Sequence, residues 1–203
     1  MITRVVVGPL MTNCYLVCEG NECVIVDPGD EAELILRALG ARHVLGIVAT
    51  HGHFDHVNAA LDLVSRLNVP LYMHRSDWEL FQELNRIATE WGFRVNPLVD
   101  KPTFIDEGFE LPLNLRVMHT PGHTPGSVSI VGNGFVMTGD TLFSGSVGRT
   151  DLPGGDPELL RESVCRLYKE LPNNFIVYPG HGPTTTIEYE LEYNPVINFD
   201  SCE

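Results

Sequence analysis

Apolar positions along this chain follow two rhythms, a strand-sized one and a helical one, laid down in alternating blocks. Residues 5–7, 15–17 and 24–26 are short runs of β-branched, aromatic and aliphatic side chains set between Gly, Pro and Asn turns. Asp30 with Glu33 three residues on, then Leu34, Ile35, Ala38, Leu39 and Gly40, predicts a capped amphipathic helix with a glycine stop. Residues 44–49 are apolar throughout and predict a buried strand. The spacing of Ala60, Leu61, Val64 and Leu67 predicts a helix over 58–67, and Pro70 opens a strand over 71–73. Ser76 and Glu79 form a capping-box pattern ahead of Phe81, Leu84, Ala88 and Trp91 at helical intervals.

The middle of the chain returns to strands. Residues 104–117 are β-like, and the runs 128–131 and 135–138 flank Gly132-Asn133-Gly134, a hairpin signal. Asp156-Pro157 opens a helix carrying Leu160, Val164, Leu167 and Leu171, with proline at the first helical position. A strand over 175–178 follows, and Thr185 with Glu188 opens a last helix. Strands, a βα block, strands again and a second βα block predict two sheets with helices outside them rather than one doubly wound sheet. The fold class is therefore α/β, with its layers in α+β order. The longest stretch without periodicity is 145–155, and a loop of that length in a compact domain is more often functional than incidental.

Composition narrows the function classes. At 203 residues the chain fits a single domain over 1–203, long enough to bury roughly 70% of its unfolded surface. A hydrophobic content of 43% and a charged content of 20% exclude a disordered or fibrous chain. No apolar run is long enough to span a bilayer, so no membrane is expected as a partner. Residues 1–8 lead straight into a strand-like run without a signal peptide's architecture, which makes cytoplasmic residence the expectation. The net charge of −14 and the lack of Lys/Arg clusters argue against nucleic acid as a partner. Cys14, Cys18, Cys23, Cys165 and Cys202 are an odd number in a core-sized domain and read as buried or edge thiols, not a disulfide framework. Nothing in the sequence specifies an oligomeric state.

The chemistry lies at predicted strand ends. After the apolar run 44–49 comes Thr50-His51-Gly52-His53-Phe54-Asp55-His56, three imidazoles and a carboxylate in six positions. His123 sits in a turn rich in Pro and Gly after the strand near 115–118, Asp140 follows the strand 135–138, and His181 follows the strand 175–178. Five His and two Asp are enough for two divalent metals sharing one carboxylate, and this donor set suits zinc, with iron or manganese as alternatives. His43, His74 and His119 fall outside these clusters and read as ordinary core or surface residues.

Taken together, His51-Gly52-His53-Phe54-Asp55-His56, His123, Asp140 and His181 resemble the metallo-β-lactamase-fold hydrolases over essentially the whole chain. Segments 122–127, 148–156 and 180–183 are similar to the short, single-domain glyoxalase II-like proteins, related to hydroxyacylglutathione hydrolase. The resemblance implies an αββα sandwich with a dinuclear site at one edge of the two sheets. It implies that His51, His53 and His123 hold one ion, that Asp55, His56 and His181 hold the other, and that Asp140 bridges them. Asp27 and Thr50 are candidates to hold the far nitrogens of the imidazoles.

The implied reaction is metal-assisted hydrolysis of a small thioester, S-lactoylglutathione to glutathione and lactate, with Asp55 and Asp140 as the catalytic carboxylates. A thiol of pKa about 8.5 leaves as thiolate without a strong general acid, and no such acid is evident beside the cluster. Arg149, in the loop after Asp140, is the candidate contact for a substrate carboxylate. Asp140 stands where the best-known metallo-β-lactamases carry Cys, which disfavours β-lactams. Full-length glyoxalase II enzymes add a C-terminal helical extension whose basic residues grip glutathione; this sequence ends at Glu203, and no such extension is expected. A mononuclear iron persulfide dioxygenase and a lactonase are alternatives on the same fold.

Overall fold

Two six-stranded sheets carry the chain, each in a simple spatial order. The structure is a computed structural model and describes residues 1–96 and 101–202. The first sheet runs in sequence order through β1 (Ile2–Val7), β2 (Thr12–Glu19), β3 (Glu22–Val26), β4 (His43–Val48), β5 (Leu71–His74) and β6 (Thr103–Ile105). β1 to β3 are antiparallel and β3 to β6 parallel. Each parallel step needs a crossover. These are α1 (Ala32–Leu39), then α2 (Phe54–Val57) with α3 (Ala60–Leu67), then α4 (Arg75–Glu90).

The second sheet contains β7 (Glu110–Leu111), β8 (Leu115–His119), β9 (Val128–Gly132) and β10 (Phe135–Gly139). After a small hairpin, β11 (Leu142–Phe143) and β12 (Ser146–Val147), the chain forms α5 (Pro157–Glu170), β13 (Ile176–Pro179), β14 (Thr185–Thr186) and α6 (Ile187–Tyr193). The order across this sheet is β14-β13-β10-β9-β8-β7.

The period of two along the strands sorts side chains into three apolar layers. On β2, Cys14 and Leu16 face the helices of the first half, while Tyr15 and Val17 face the other sheet. Val48, Val117, Val128, Ile130 and Met137 complete that central layer. Met118, Val136 and Val177 pack with Val164 and Leu167 of α5 in a third layer. The result is helices, sheet, sheet, helices: the αββα sandwich. Among the described residues no helix is long and apolar enough to cross a membrane.

Local details depart from expectation mostly at helix starts. α1 begins at Ala32 without a side-chain cap, because Asp30 Oδ1 accepts from the Glu31 amide instead. The helix expected over 58–67 is preceded by the separate turn α2, which carries Asp55 and His56. α4 is capped by His74, whose Nδ1 accepts from the Ser76 amide, so the Ser76–Glu79 box does not form. The Leu84 side chain lies outside the described residues. Thr186, not Thr185, caps α6, while Asp156 caps α5 as expected. The 145–155 loop starts inside the β11–β12 hairpin.

The cysteine reading is overturned. Cys18 and Cys23 face each other across the β2–β3 pair and are joined, and Cys165 is joined to Cys202, leaving only Cys14 free and buried. An odd count guarantees one unpaired thiol and constrains nothing about the other four.

Candidate metal centre

Four strand ends of the two sheets meet at one edge. β4 runs into the 50–56 segment, β8 into the turn that holds His123, β10 into Asp140 and β13 into His181. Tight approach is built in by glycine: a side chain on Gly180 would start 2.3 Å from Asp140 Oδ1 and 2.7 Å from the His56 ring. The first sheet reaches over to hold the His181 loop, with the Asn13 amide group donating to the Pro179 and Gly182 carbonyls and the Tyr15 hydroxyl donating to Pro179.

All seven expected residues come together. His53 Nδ1 stands 2.9 Å from His123 Nε2, and His56 Nε2 stands 3.3 Å from His181 Nε2. Asp55 Oδ2 lies 3.2 Å from His181 Nε2 and accepts from the Thr12 hydroxyl. Asp140 reaches both sides, with Oδ1 3.3 Å from His56 Nε2 and Oδ2 3.7 Å from His123 Nε2. The donor atoms fall into compact triplets: His51, His53 and His123; Asp55, His56 and His181; His51, His56 and Asp140.

Four of the five imidazoles are fixed through the nitrogen that faces away from the centre. His56 Nδ1 donates to Asp27 Oδ2 at 2.9 Å, His123 Nδ1 to the Arg149 carbonyl at 2.8 Å, and His181 Nδ1 to the Leu10 carbonyl at 3.1 Å. The Thr50 hydroxyl donates to Asp27 Oδ2, so its oxygen accepts from His51 Nδ1. A ring that donates from Nδ1 carries its lone pair on Nε2. In the neutral form of each ring, Nε2 of all four therefore points inward as a lone pair, the tautomer a metal requires. Asp27, at φ +52°, anchors two of these links, as its position in the sequence suggested.

Electrostatics are those of a cation site. Burial and the neighbouring His123 push His53 down to about 3, and burial with His56 pushes His51 well down. Burial opposes a charge on His56, yet Asp140, Asp55 and Asp27 hold its pKa up. Burial favours the neutral form of Asp140 and of Asp55, but His56 and His181 together, with His123 in the case of Asp140, outweigh it and both stay low. His51 Nε2, His53 Nε2 and Asp140 Oδ1 are buried without any hydrogen-bond partner. Orphaned buried polar atoms are costly, and their occurrence on three residues of the cluster fits a divalent metal.

Two positioning residues were not apparent from the sequence. Asp77, fully buried in the first turn of α4, accepts from the Gly52 amide, the Gly126 amide and the Thr124 hydroxyl at 2.6–2.7 Å. Asn85, two turns on, donates to the Gly52 carbonyl. The pair grips the peptide between His51 and His53 from both sides. A signal existed: Asp77, Phe81, Asn85 and Ala88 share one helical face, so two polar residues sit on the buried stripe.

A cavity of about 390 Å³ opens onto the cluster. Its walls away from the ligands are apolar, with Leu10, Phe54, Ile87, Trp91, Phe93 and Leu152, and Arg149 at the rim. Trp91 is 59% exposed, while Trp78 and Phe81 pack into the body. Arg149 is not a free cation: its guanidinium forms two hydrogen bonds with Asp151, at 2.6 and 2.7 Å.

An αββα sandwich with a His/Asp cluster at the shared edge of its sheets defines a class of metal-dependent hydrolases. The family model of the metallo-beta-lactamase superfamily matches residues 7–181, and the chain belongs to that superfamily as a metallo-hydrolase. It is 35% identical to the hydroxyacylglutathione hydrolase GloC of Haemophilus influenzae, covering 93% of this chain and 94% of that one. Among solved structures it is similar to TTHA1623 in a di-iron-bound form, with a TM-score of 0.90, 42% identity and 95% and 98% coverage. It is also similar to the BLEG-1 B3 metallo-beta-lactamase, with a TM-score of 0.87, 36% identity and 96% and 98% coverage.

Proposed function

We propose that the chain is a dinuclear metallohydrolase of a small thioester, of the glyoxalase II type, converting S-lactoylglutathione and water to glutathione and lactate. The observation that carries this reading is the convergence of four tautomer-fixed imidazoles on Asp140, whose two oxygens face both ligand groups. His51, His53 and His123 would hold one ion, Asp55, His56 and His181 the other, with Asp140 shared. Zinc is the proposed metal, and the di-iron form of TTHA1623 keeps iron as the alternative. When bound, such a pair of ions supplies an acidified water as nucleophile and a Lewis acid for the carbonyl.

The residues of the chain do the rest. Asp55, held by Thr12, has an oxygen at the inner face of the cluster and would orient the attacking water. The apolar walls exclude other water from the acyl group. The thiol leaves as thiolate and needs no proton from the protein. Arg149 would meet a substrate carboxylate only by leaving Asp151.

Turnover of a panel decides the reading: S-lactoylglutathione, an acyl-homoserine lactone, a β-lactam and glutathione persulfide, on protein of measured metal content. Thioester hydrolysis is expected. Oxygen uptake on the persulfide without thioester turnover overturns it in favour of the dioxygenase, and lactone opening alone in favour of the lactonase. Cytoplasmic residence remains part of the proposal. Thiol counting on protein taken directly from cells tests it, because four blocked cysteines argue for an oxidising compartment.

A further inference from the structure

Two histidines outside the cluster form a second donor set with an aspartate. His74 ends β5 in the first sheet and His119 ends β8 in the second, and their rings stack with centroids 4.4 Å apart and planes 10° apart. Asp106, immediately after β6, brings Oδ1 to 3.5 Å from His74 Nε2. One donor atom from each of the three lies within 4.8 Å of the other two. Around a tetrahedral ion with bonds of about 2.0–2.2 Å, donors stand roughly 3.3–3.6 Å apart. The His74–Asp106 separation already has that length; imidazole lone pairs lie in the ring planes, so His119 has to close by up to about 1.5 Å and turn its ring out of the stack to face the same ion.

Asp106 Oδ1 accepts from the Glu107 amide and both nitrogens of His74 are engaged, so the donor atom left over in this set is on His119. His119 donates from Nε2 to the Pro125 carbonyl at 2.9 Å, which leaves Nδ1 as a free lone pair. Burial and the adjacent His119 hold His74 below the ordinary histidine range, so its ring is neutral at pH 7. Nδ1 of His74 caps α4 through a long bond of 3.2 Å from the Ser76 amide. Binding an ion at Nε2 moves the ring proton to Nδ1 and releases that cap to water. Of the neighbouring cations, Arg166 is paired with Glu107 and Glu170, and Arg75 lies over the Phe104 ring with Glu79 4.0 Å away. Asp106 is exposed and His74 buried, so the set is open on one side and walled on the other.

We propose that His74, Asp106 and His119 form an additional divalent-metal site of the zinc class, completed by water and separate from the centre built on Asp140. The ion would tie the ends of β5 and β6 in one sheet to the end of β8 in the other, four residues before His123. Its role is that of a staple across the edge that bears the catalytic cluster. The inference does not rest on the reaction proposed above.

The test is metal stoichiometry on the full chain, stripped with a chelator, refilled with zinc and freed of excess ion. The wild-type chain is expected to hold one zinc more than His119→Gln and one more than Asp106→Asn, with hydrolytic turnover kept in both. Cobalt(II) titration should show the same lost class of sites. Equal zinc content in the wild type and either variant overturns the proposal. Asp106 lies on an exposed turn, so its variant decides the matter even if His119→Gln fails to fold. Asp140→Ala is the separate control, expected to empty the catalytic cluster and to spare this ion.

Discussion

The cluster and the rim of its own cavity are built on opposite principles. Four ligand imidazoles are each held from behind by a hydrogen bond that fixes the tautomer, and Asp77 and Asn85 clamp the peptide between His51 and His53. At the rim, Trp91 stands largely in solvent and the guanidinium of Arg149, whose backbone carbonyl holds His123, is paired with its exposed neighbour Asp151. Under the proposed function, chemistry that tolerates little displacement would sit on over-determined side chains, and substrate selection would sit where one substitution rearranges little else. One edge of the scaffold thus carries a tightly held His/Asp cluster beside a loosely held rim.

Substitutions can sharpen or break that contrast. Asp140→Ala should have the largest effect, with turnover at background and metal retention lost by elemental analysis; retained activity would break the assignment of the centre. Asp27→Ala should come next, because it frees His56 and the Thr50–His51 link together. A loss of about 10–100-fold in metal affinity is expected, read by competition with a chromophoric chelator. Trp91→Ala should raise KM by roughly tenfold, about 1.4 kcal/mol, at constant kcat; a fall in kcat instead would mean that the rim is not independent of the centre.

Asp151→Asn should have the smallest effect and the opposite sign. It releases Arg149 and should lower KM severalfold for a thioester bearing a carboxylate, leaving kcat and neutral substrates alone. Its pH dependence follows from the hydrogen bond of Arg149, which holds Asp151 down at about 2. A depressed carboxylate keeps its partner above the ordinary pKa and loses it only as pH falls through the depressed value. The difference in KM between the wild type and this variant should therefore stay flat from about pH 5 to pH 9. A difference that vanishes within that range would show that Asp151 is not what occupies Arg149.

The sequence was most readable where function and local geometry coincide. The seven residues of the cluster sit at strand ends next to Gly and Pro, and strand ends follow from hydrophobic periodicity, so the centre could be assembled without coordinates. Two sheets with outer helices followed from the order of the periodic blocks. What escaped depends on distant segments meeting. Asp77 binds residues 25 and 49 positions away, and the stacking of His74 on His119 exists only because the two sheets pack together. The disulfides depend on register and on where residues 199–202 dock, and neither can be read from a cysteine count. Helix caps were missed where a neighbour changed the competition, as His74 did for Ser76.

The bond between Cys165 and Cys202 encloses 37 steps of chain, and His181 lies within that span. The last residue of the cluster therefore belongs to a covalent ring that also contains β13 and α6. A protease that cuts anywhere inside the ring cannot release a fragment: the nicked molecule keeps its full mass and keeps His181 tethered to α5 until the bond is reduced. On a denaturing gel such a cut is invisible without reductant and gives two bands with it.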